Sequence, residues 1–191
     1  MEYTARLTWE ALLLFEMQIT AHLIQEWKTM TEAKNEIMEN NLYQYERPTA
    51  VIRRFPFIRR RLMILNENWW IDLFLKDSDN AKILALYSIY KDNNFFESVM
   101  QNIVGKKILD REYELYKNSI INLFPLMEEN DLAVKKWTQK TRDKLCQVVL
   151  KILKESDLLK DDRLTPLYIP FDVKTYLEDM PGGSDFISYI S

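Results

Sequence analysis

The sequence predicts an all-α protein, and three observations carry that expectation. Only three glycines occur in 191 residues, too few for the many tight turns of a sheet protein. Several stretches repeat apolar residues at i, i+3 and i+4 instead of alternating them. The chain is 47% apolar and 13% aromatic, which is ample to bury a core, so a single globular helical domain is expected over residues 1–180.

The elements follow in order. LTWEALLLFEMQITAHLIQEW, residues 7–27, sets Leu12, Phe15, Ile19, Leu23 and Trp27 on one face, with Thr8 or a neighbour as N-cap. TEAKNEIMENNL is a second, shorter helix capped by Thr31, with Ile37 and Met38 inward. YQYERPT connects, and Pro48 suits the first turn of a third helix, where its missing N–H costs nothing. In that helix Phe55, Ile58, Leu62 and Leu65 share an apolar sector. Arg53, Arg54, Arg60 and Arg61 lie within about 120° of one another on the other side, with Arg59 off the cluster. Pro56 removes a hydrogen bond at a cost of about 3 kcal/mol, so the stretch is either one kinked helix or two helices meeting near Pro56.

NAKILALYSIYKD and NFFESVMQNIVGKK read as amphipathic helices divided at Asp92-Asn93-Asn94. DREYELYKNSIINLFPLMEE reads as another, with Tyr113, Tyr116, Ile120 and Phe124 inward and Pro125 near its end. Residues 137–159 form the clearest helix of the C-terminal half. Leu145, Val148, Val149, Ile152 and Leu153 make its buried stripe, and its lysines project away. LTPLYIPFDV, with Pro166 and Pro170, is expected to be extended. TYLEDM is a last short helix and residues 181–191 a tail.

Charge is distributed unevenly. The formal net charge is −3, yet five of the ten arginines fall between Arg53 and Arg61. Residues 47–61 carry six arginines and no acid. A second basic island comprises Lys135, Lys136, Lys140, Arg142, Lys144, Lys151 and Lys154 against Asp143. Arginine forks grip phosphate oxygens, and a helix carrying several can lie along a groove. The same pattern also fits a solvated face paired with the acidic remainder of the chain, and the residues alone leave both readings open.

Catalysis has no evident basis. The single histidine, His22, excludes His-pair metal sites, and the single cysteine, Cys146, excludes thiolate zinc sites and an internal disulfide. No phosphate-cradling glycine loop or nucleophile elbow occurs. Asp72, Asp77 and Asp79 read as a solvated acidic turn, and Trp69-Trp70 as core. The longest apolar run, Ala11–Phe15, is far short of the roughly 20 residues that span a bilayer. A cytoplasmic protein without cofactor or membrane contact is expected.

Helix order adds an expectation of two elements. Residues 31–66 have the shape of a helix-turn-helix with the arginines on its second member, and residues 132–179 that of a helix-turn-helix or winged element.

Taken end to end, the chain resembles the BrxA family of the BREX bacteriophage-exclusion systems. The likeness runs through YTARLTWEALLLFEMQITAHLI, NLYQYERPTAVIRRFPFIRRRL, KILALYSIYKDNNFFESVM and KKWTQKTRDKLCQVVLKILKESDLL, covering residues 3–179 by pattern and order. The resemblance implies an all-α, cytoplasmic protein that binds DNA instead of catalysing a reaction and works with other BREX proteins. Little sequence preference on duplex DNA is expected from the residues themselves, since no Asn or Gln poised for an adenine edge stands beside the arginines. Carried onto this chain, the resemblance points to Arg47, Arg53, Arg54, Arg60 and Arg61 in the first element. In the second it points to Lys135, Lys136, Lys140, Arg142 and Lys144. A rival reading is an assembly subunit whose basic face docks another BREX protein without touching DNA. Tyr43, Tyr45 and Phe57 beside the arginines would suit that role, since Tyr and Arg are favoured at interface hot spots. RNA binding through a helical surface is a third reading.

Overall fold

Helices account for nearly all the regular structure of the computed structural model, which describes residues 3–9, 11–26, 28–65 and 69–191. The first predicted helix is divided in two. Ala5–Trp9 is a 3-10 turn, and α1 (Leu14–Gln25) begins only after Leu13, at φ 56°. The backbone between them is held by tertiary partners: the Leu12 amide donates to Glu155, and the Ala11 and Leu12 carbonyls accept from Arg61. Those groups would otherwise bond within a continuous helix. The face that α1 buries is Met17, Thr20, Ala21 and Leu23, leaving Phe15 48% exposed. Trp27, expected on that stripe, lies outside the described residues.

Helix α2 (Met30–Glu39) is capped by Thr29 and not by Thr31. Thr29 accepts from the Glu32 amide while Glu32 accepts from the Thr29 amide, a reciprocal capping box. Helix α3 (Ala50–Ile64) is one helix running through Pro56. Pro56 faces solvent, so the carbonyl it leaves without a partner, that of Ile52, belongs to an exposed residue and can be hydrated. The α2–α3 connection, residues 40–49, is longer than the about 3–4 residues of a helix-turn-helix turn.

Helix α4 (Trp70–Lys76) leads into α5 (Ser78–Asp92), which Asp77 caps through the Asn80 amide. Residues Ile83 to Tyr90 of α5 are all buried. A helix apolar on every side belongs at the centre of a fold, and α5 packs against α1, α3, α4 and α13. Asn93 breaks the chain at the expected place and caps α6 (Asn94–Val99). A π-helical turn, Met100–Gly105, then passes into α7 (Lys106–Leu109).

The predicted helix after Asp110 does not form as one piece. Residues 113–115 are extended, followed by α8 (Lys117–Ile121), α9 (Phe124–Asn130) and α10 (Leu132–Lys135). Ile120 and Phe124 are buried as expected, but Tyr116 is exposed, and Pro125 opens α9 instead of ending a helix. The extended piece pairs with a hairpin near the C-terminus. Helix α11 (Gln139–Glu155), capped by Thr138, buries its five expected apolar residues together with Cys146. It is followed by β1 (Leu159–Lys160) and β2 (Arg163–Leu164), antiparallel, with Leu159 opposite Leu164. Residues 165–170 are extended, as expected, and α12 (Phe171–Glu178) follows.

Residues 181–191, expected as a tail, hold α13 (Gly183–Ile190), whose Phe186 and Ile190 are fully buried. Phe186 meets Tyr87 and Tyr90 of α5 at ring separations of 5.4 and 5.3 Å. Tyr189 crosses Gly105, where a Cβ would lie 2.3 Å from its ring. Burial of these aromatic faces is what anchors the chain end.

Cys146 is fully buried, and burial pushes its thiol up to about 11. The native protein is therefore expected to resist iodoacetamide at neutral pH and to alkylate once unfolded in urea, because the thiolate is the reactive species. Alkylation of the native protein at the rate of a free cysteine would contradict this burial.

Candidate nucleic-acid interface

The two basic islands lie on α3 and α11. Helix α3 turns Val51, Phe55, Ile58 and Leu62 inward. Arg61 adjoins that face and is itself 0% exposed. Its Nη1 donates to the carbonyls of Ala11 at 2.8 Å and Leu12 at 3.0 Å. A guanidinium enclosed and committed in this way cannot reach a phosphate, so Arg61 leaves the set of expected DNA contacts. Arg60 is also engaged. It donates through Nε and Nη2 to both carboxylate oxygens of Asp92, with Nη2–Oδ2 at 2.6 Å, and lies over the Phe57 ring.

Arg54 stacks on Tyr45 with its guanidinium carbon 4.8 Å from the ring centre, and Nη1 is 3.7 Å from Glu16. Tyr45 donates to the same carboxylate at 2.7 Å. Burial, then that hydrogen bond, pushes its phenol up to about 12. Tyr43, expected as an exposed interface aromatic, is 2% exposed and shares a 2.6 Å hydrogen bond with Thr20. Arg47, Arg53 and Arg59 are exposed and, among the described residues, make no ion pair. Arg59, off the expected cluster, thus points to water while three clustered arginines, Arg54, Arg60 and Arg61, engage the fold.

Helix α11 is cleaner. Opposite its buried stripe, Lys140, Lys144, Gln147 and Lys151 recur at i, i+4, i+7 and i+11, and all four are exposed. Lys135 and Lys136, at the end of α10, precede them and are exposed too. Lys151 lies 3.5 Å from Glu155, whereas Lys135, Lys136, Lys140 and Lys144 make no ion pair among the described residues. Arg142 is the exception in this island. It pairs with Glu128 at 2.5 Å, donates to the carbonyls of Val134 and Trp137, and lies over Phe124. Its work is to pin α9 and α10 to α11. Lys151 was absent from the expected contacts, although its spacing from Lys140 would have placed it on the same stripe.

The hairpin after α11 turns at Asp161 and Asp162, both left-handed at φ 49° and 57°, as a two-residue loop with positive φ at both positions requires. The segment 113–115 flanks it: Leu164 donates to the Tyr113 carbonyl at 2.7 Å and Leu115 to that of Asp162 at 2.9 Å. A long helix with an exposed cationic stripe therefore precedes a hairpin backed by a third extended segment. The two turn aspartates are flanked by the exposed Lys160 and Arg163, and Asp162 pairs with Lys154 at 3.4 Å, so the hairpin tip carries no net charge while the helix attracts phosphate.

Arg54 of α3 and Lys151 of α11 line one cleft of about 400 Å³, with Phe15, Glu16, Glu155 and residues 11–14. The two islands thus adjoin across this opening, and two carboxylates lie in the seam between them. Among the described residues no group of acids, His and Cys is arranged to hold a metal ion, and no helix is long and apolar enough to cross a membrane.

A family model described as BrxA matches residues 1–180. The chain is 24% identical over 161 residues to the BREX protein BrxA of Bacillus cereus (strain H3081.97), covering 84% of this chain and 80% of that one. It is also similar to the crystal structure of an uncharacterized protein from Magnetospirillum magneticum, with a TM-score of 0.80 and 20% identity over 100% of this chain and 98% of that one. The second likeness shows the fold.

Proposed function

This chain belongs to the BrxA family, and from that premise we propose that it is a non-enzymatic, cytoplasmic component of a BREX phage-defence system that holds duplex DNA. The observation that carries the reading is the exposed stripe of Lys140, Lys144 and Lys151 on α11, with Lys135 and Lys136 leading into it. Exposed ammonium groups set along one side of a rigid helix, with Lys151 alone of the three paired, to Glu155, neutralise phosphates and release condensed counterions on binding. Arg47 and Arg53 extend the cationic surface on α3. Arg54, Arg60 and Arg142 contribute field, their forks being engaged within the fold.

Lysine ammonium groups act as point charges, so little base preference follows. Gln147 is where the stripe could read an adenine edge. The helix followed by a hairpin has the order of a winged element, but its tip, where Lys160 and Arg163 offset Asp161 and Asp162, has no net charge with which to hold the backbone. Contact therefore falls to the helix. Recognition of a particular site would belong to other BREX proteins.

Fluorescence anisotropy with labelled duplexes of unrelated sequence, between about 50 and 200 mM salt, tests this. Affinity is expected to fall linearly with log salt. The Lys140→Ala/Lys144→Ala variant should lower the slope by about 1.8 for every sequence, at roughly 0.9 per lost contact. Absence of binding at the lowest salt would overturn the reading, and competition by structured RNA would redirect it. A protein-docking role finds a specific footing on the outer face of α3, where Ile52 and Met63 are 51% and 53% exposed.

A further inference from the structure

The outer face of α3 is not used by the fold. Ile52, Pro56, Arg59 and Met63 recur at i, i+4, i+7 and i+11, and all four are exposed, so they form one stripe along the helix. Apolar side chains gain nothing from phosphate oxygens. Methionine and arginine around an apolar centre are instead the composition of a protein interface.

A second unused surface has the opposite chemistry. Tyr168 and Phe171 are 85% and 83% exposed. They flank Pro170 on an extended segment held by backbone bonds from Thr165 to Leu158 at 2.9 Å and from Leu167 to Ile190 at 2.6 Å. With the backbone anchored and φ fixed at Pro166 and Pro170, capturing these rings costs little ordering entropy.

Tyr168 borders a cavity of about 350 Å³ lined also by Asp77, Asp79, Lys82, Asp157 and Pro170. Lys82 reaches Asp157 at 2.5 Å and Asp79 at 3.7 Å. One ammonium is thus shared where three carboxylates gather, and Asp77 is already capping α5. The cavity is acidic on balance and rimmed by aromatic surface, which is the complement of the α3 stripe in both charge and polarity.

We propose that these surfaces are the two halves of one contact between copies of this chain. The Ile52–Met63 stripe of one copy lies on Tyr168 and Phe171 of the next, and Arg59 enters the acidic cavity beside Asp79 and Asp157. Because the halves differ, the contact is heterologous: every open assembly keeps one unfilled stripe at one end and one unfilled cavity at the other, and it grows with concentration unless a ring closes. Asp157 follows the end of α11 at Glu155, which lies about 16 Å along the helix axis from Lys144 at 1.5 Å per residue. The N-terminal lysines of α11 are therefore left open in the assembly, and copies joined in this way could line DNA together.

Sedimentation velocity of the full chain without DNA, from low micromolar to several hundred micromolar, reads the contact directly. The weight-average sedimentation coefficient is expected to rise with concentration and to fall back in high salt. Ile52→Ser/Met63→Ser and Tyr168→Ser/Phe171→Ser, all at exposed positions, should each remain monomeric. Mixed together, they should form a one-to-one dimer and nothing larger, because the mixture holds one intact stripe and one intact cavity. A wild-type chain that stays monomeric overturns the proposal, and the two surfaces would then await a different acidic-apolar and a different basic partner. Loss of association in the stripe variant alone, indicating α3 against α3, or a mixture that fails to dimerise, overturns it equally. Neither result bears on the DNA reading, which anisotropy tests separately.

Discussion

Arg61→Ala is expected to destabilise the fold by about 3–5 kcal/mol while leaving the salt slope of DNA binding unchanged at temperatures where the variant is folded. The carbonyls of Ala11 and Leu12 lose the donor that holds them. A buried acceptor left unsatisfied costs about 1–3 kcal/mol, and truncation of a fully enclosed side chain adds a void. Urea unfolding should show a lower midpoint with an unchanged denaturant dependence. Lysine would not rescue it fully, since one ammonium does not reproduce a planar fork. Arg53→Ala provides the contrast. Arg53 is exposed, so its loss should alter stability by no more than about 0.5 kcal/mol and should lower the salt slope by about 0.9. A stable Arg61→Ala protein with weakened DNA binding would reverse the assignment of these two arginines.

Gly183→Ala is expected to be the most damaging single-methyl change at the C-terminal end. A Cβ there would lie 1.7 Å from the Leu177 carbonyl oxygen and 2.6 Å from its carbon. Both are backbone atoms and cannot rotate away, so the corner between α12 and α13 has to open. Opening it withdraws Phe186 from the rings of Tyr87 and Tyr90 and exposes the buried Ile190. Overpacking of this kind costs about 3 kcal/mol, which corresponds to roughly 6–12 °C in Tm for a chain of this size. Circular dichroism melting measures it directly. Gly182→Ala should be milder, at about 1–2 kcal/mol, because its φ of 70° asks only for a left-handed residue. Equal melting of Gly183→Ala and the native chain would mean that α13 does not sit against α12 as described.

Much of the fold was legible because local periodicity governed it. Helix α11 buries the five apolar residues that its spacing predicts, and α5 and α6 divide at the asparagine that caps the second. Elsewhere a distant partner took over. Residues 113–115 lie within a helical pattern yet are extended, because Tyr113 and Leu115 bond to the hairpin near residue 163. Residues 11–13 interrupt a helical pattern because Arg61 and Glu155 satisfy their backbone groups from other helices. The candidate site divides in the same way. The lysines of α11 point outward as the wheel places them. The wheel does not distinguish Arg53, in water, from Arg61, in the core, since both lie on the polar side of α3 and only the packing of the 11–13 loop against Arg61 separates them.

The sequence by itself determined the helical class, the amphipathic faces of α3 and α11, and the concentration of positive charge into two islands. These follow from composition and from a period of 3.6 residues, and neither depends on a partner far along the chain. Tertiary structure alone decided which cations remain available. A guanidinium carries five donors on a long stem, so it can serve a carboxylate, a carbonyl or an aromatic face as readily as a phosphate. Its use is set by what the fold brings within reach: Asp92 for Arg60, two backbone carbonyls for Arg61, Glu128 for Arg142. With no such partner among the described residues, the ammonium groups of Lys140 and Lys144 keep their charge turned outward.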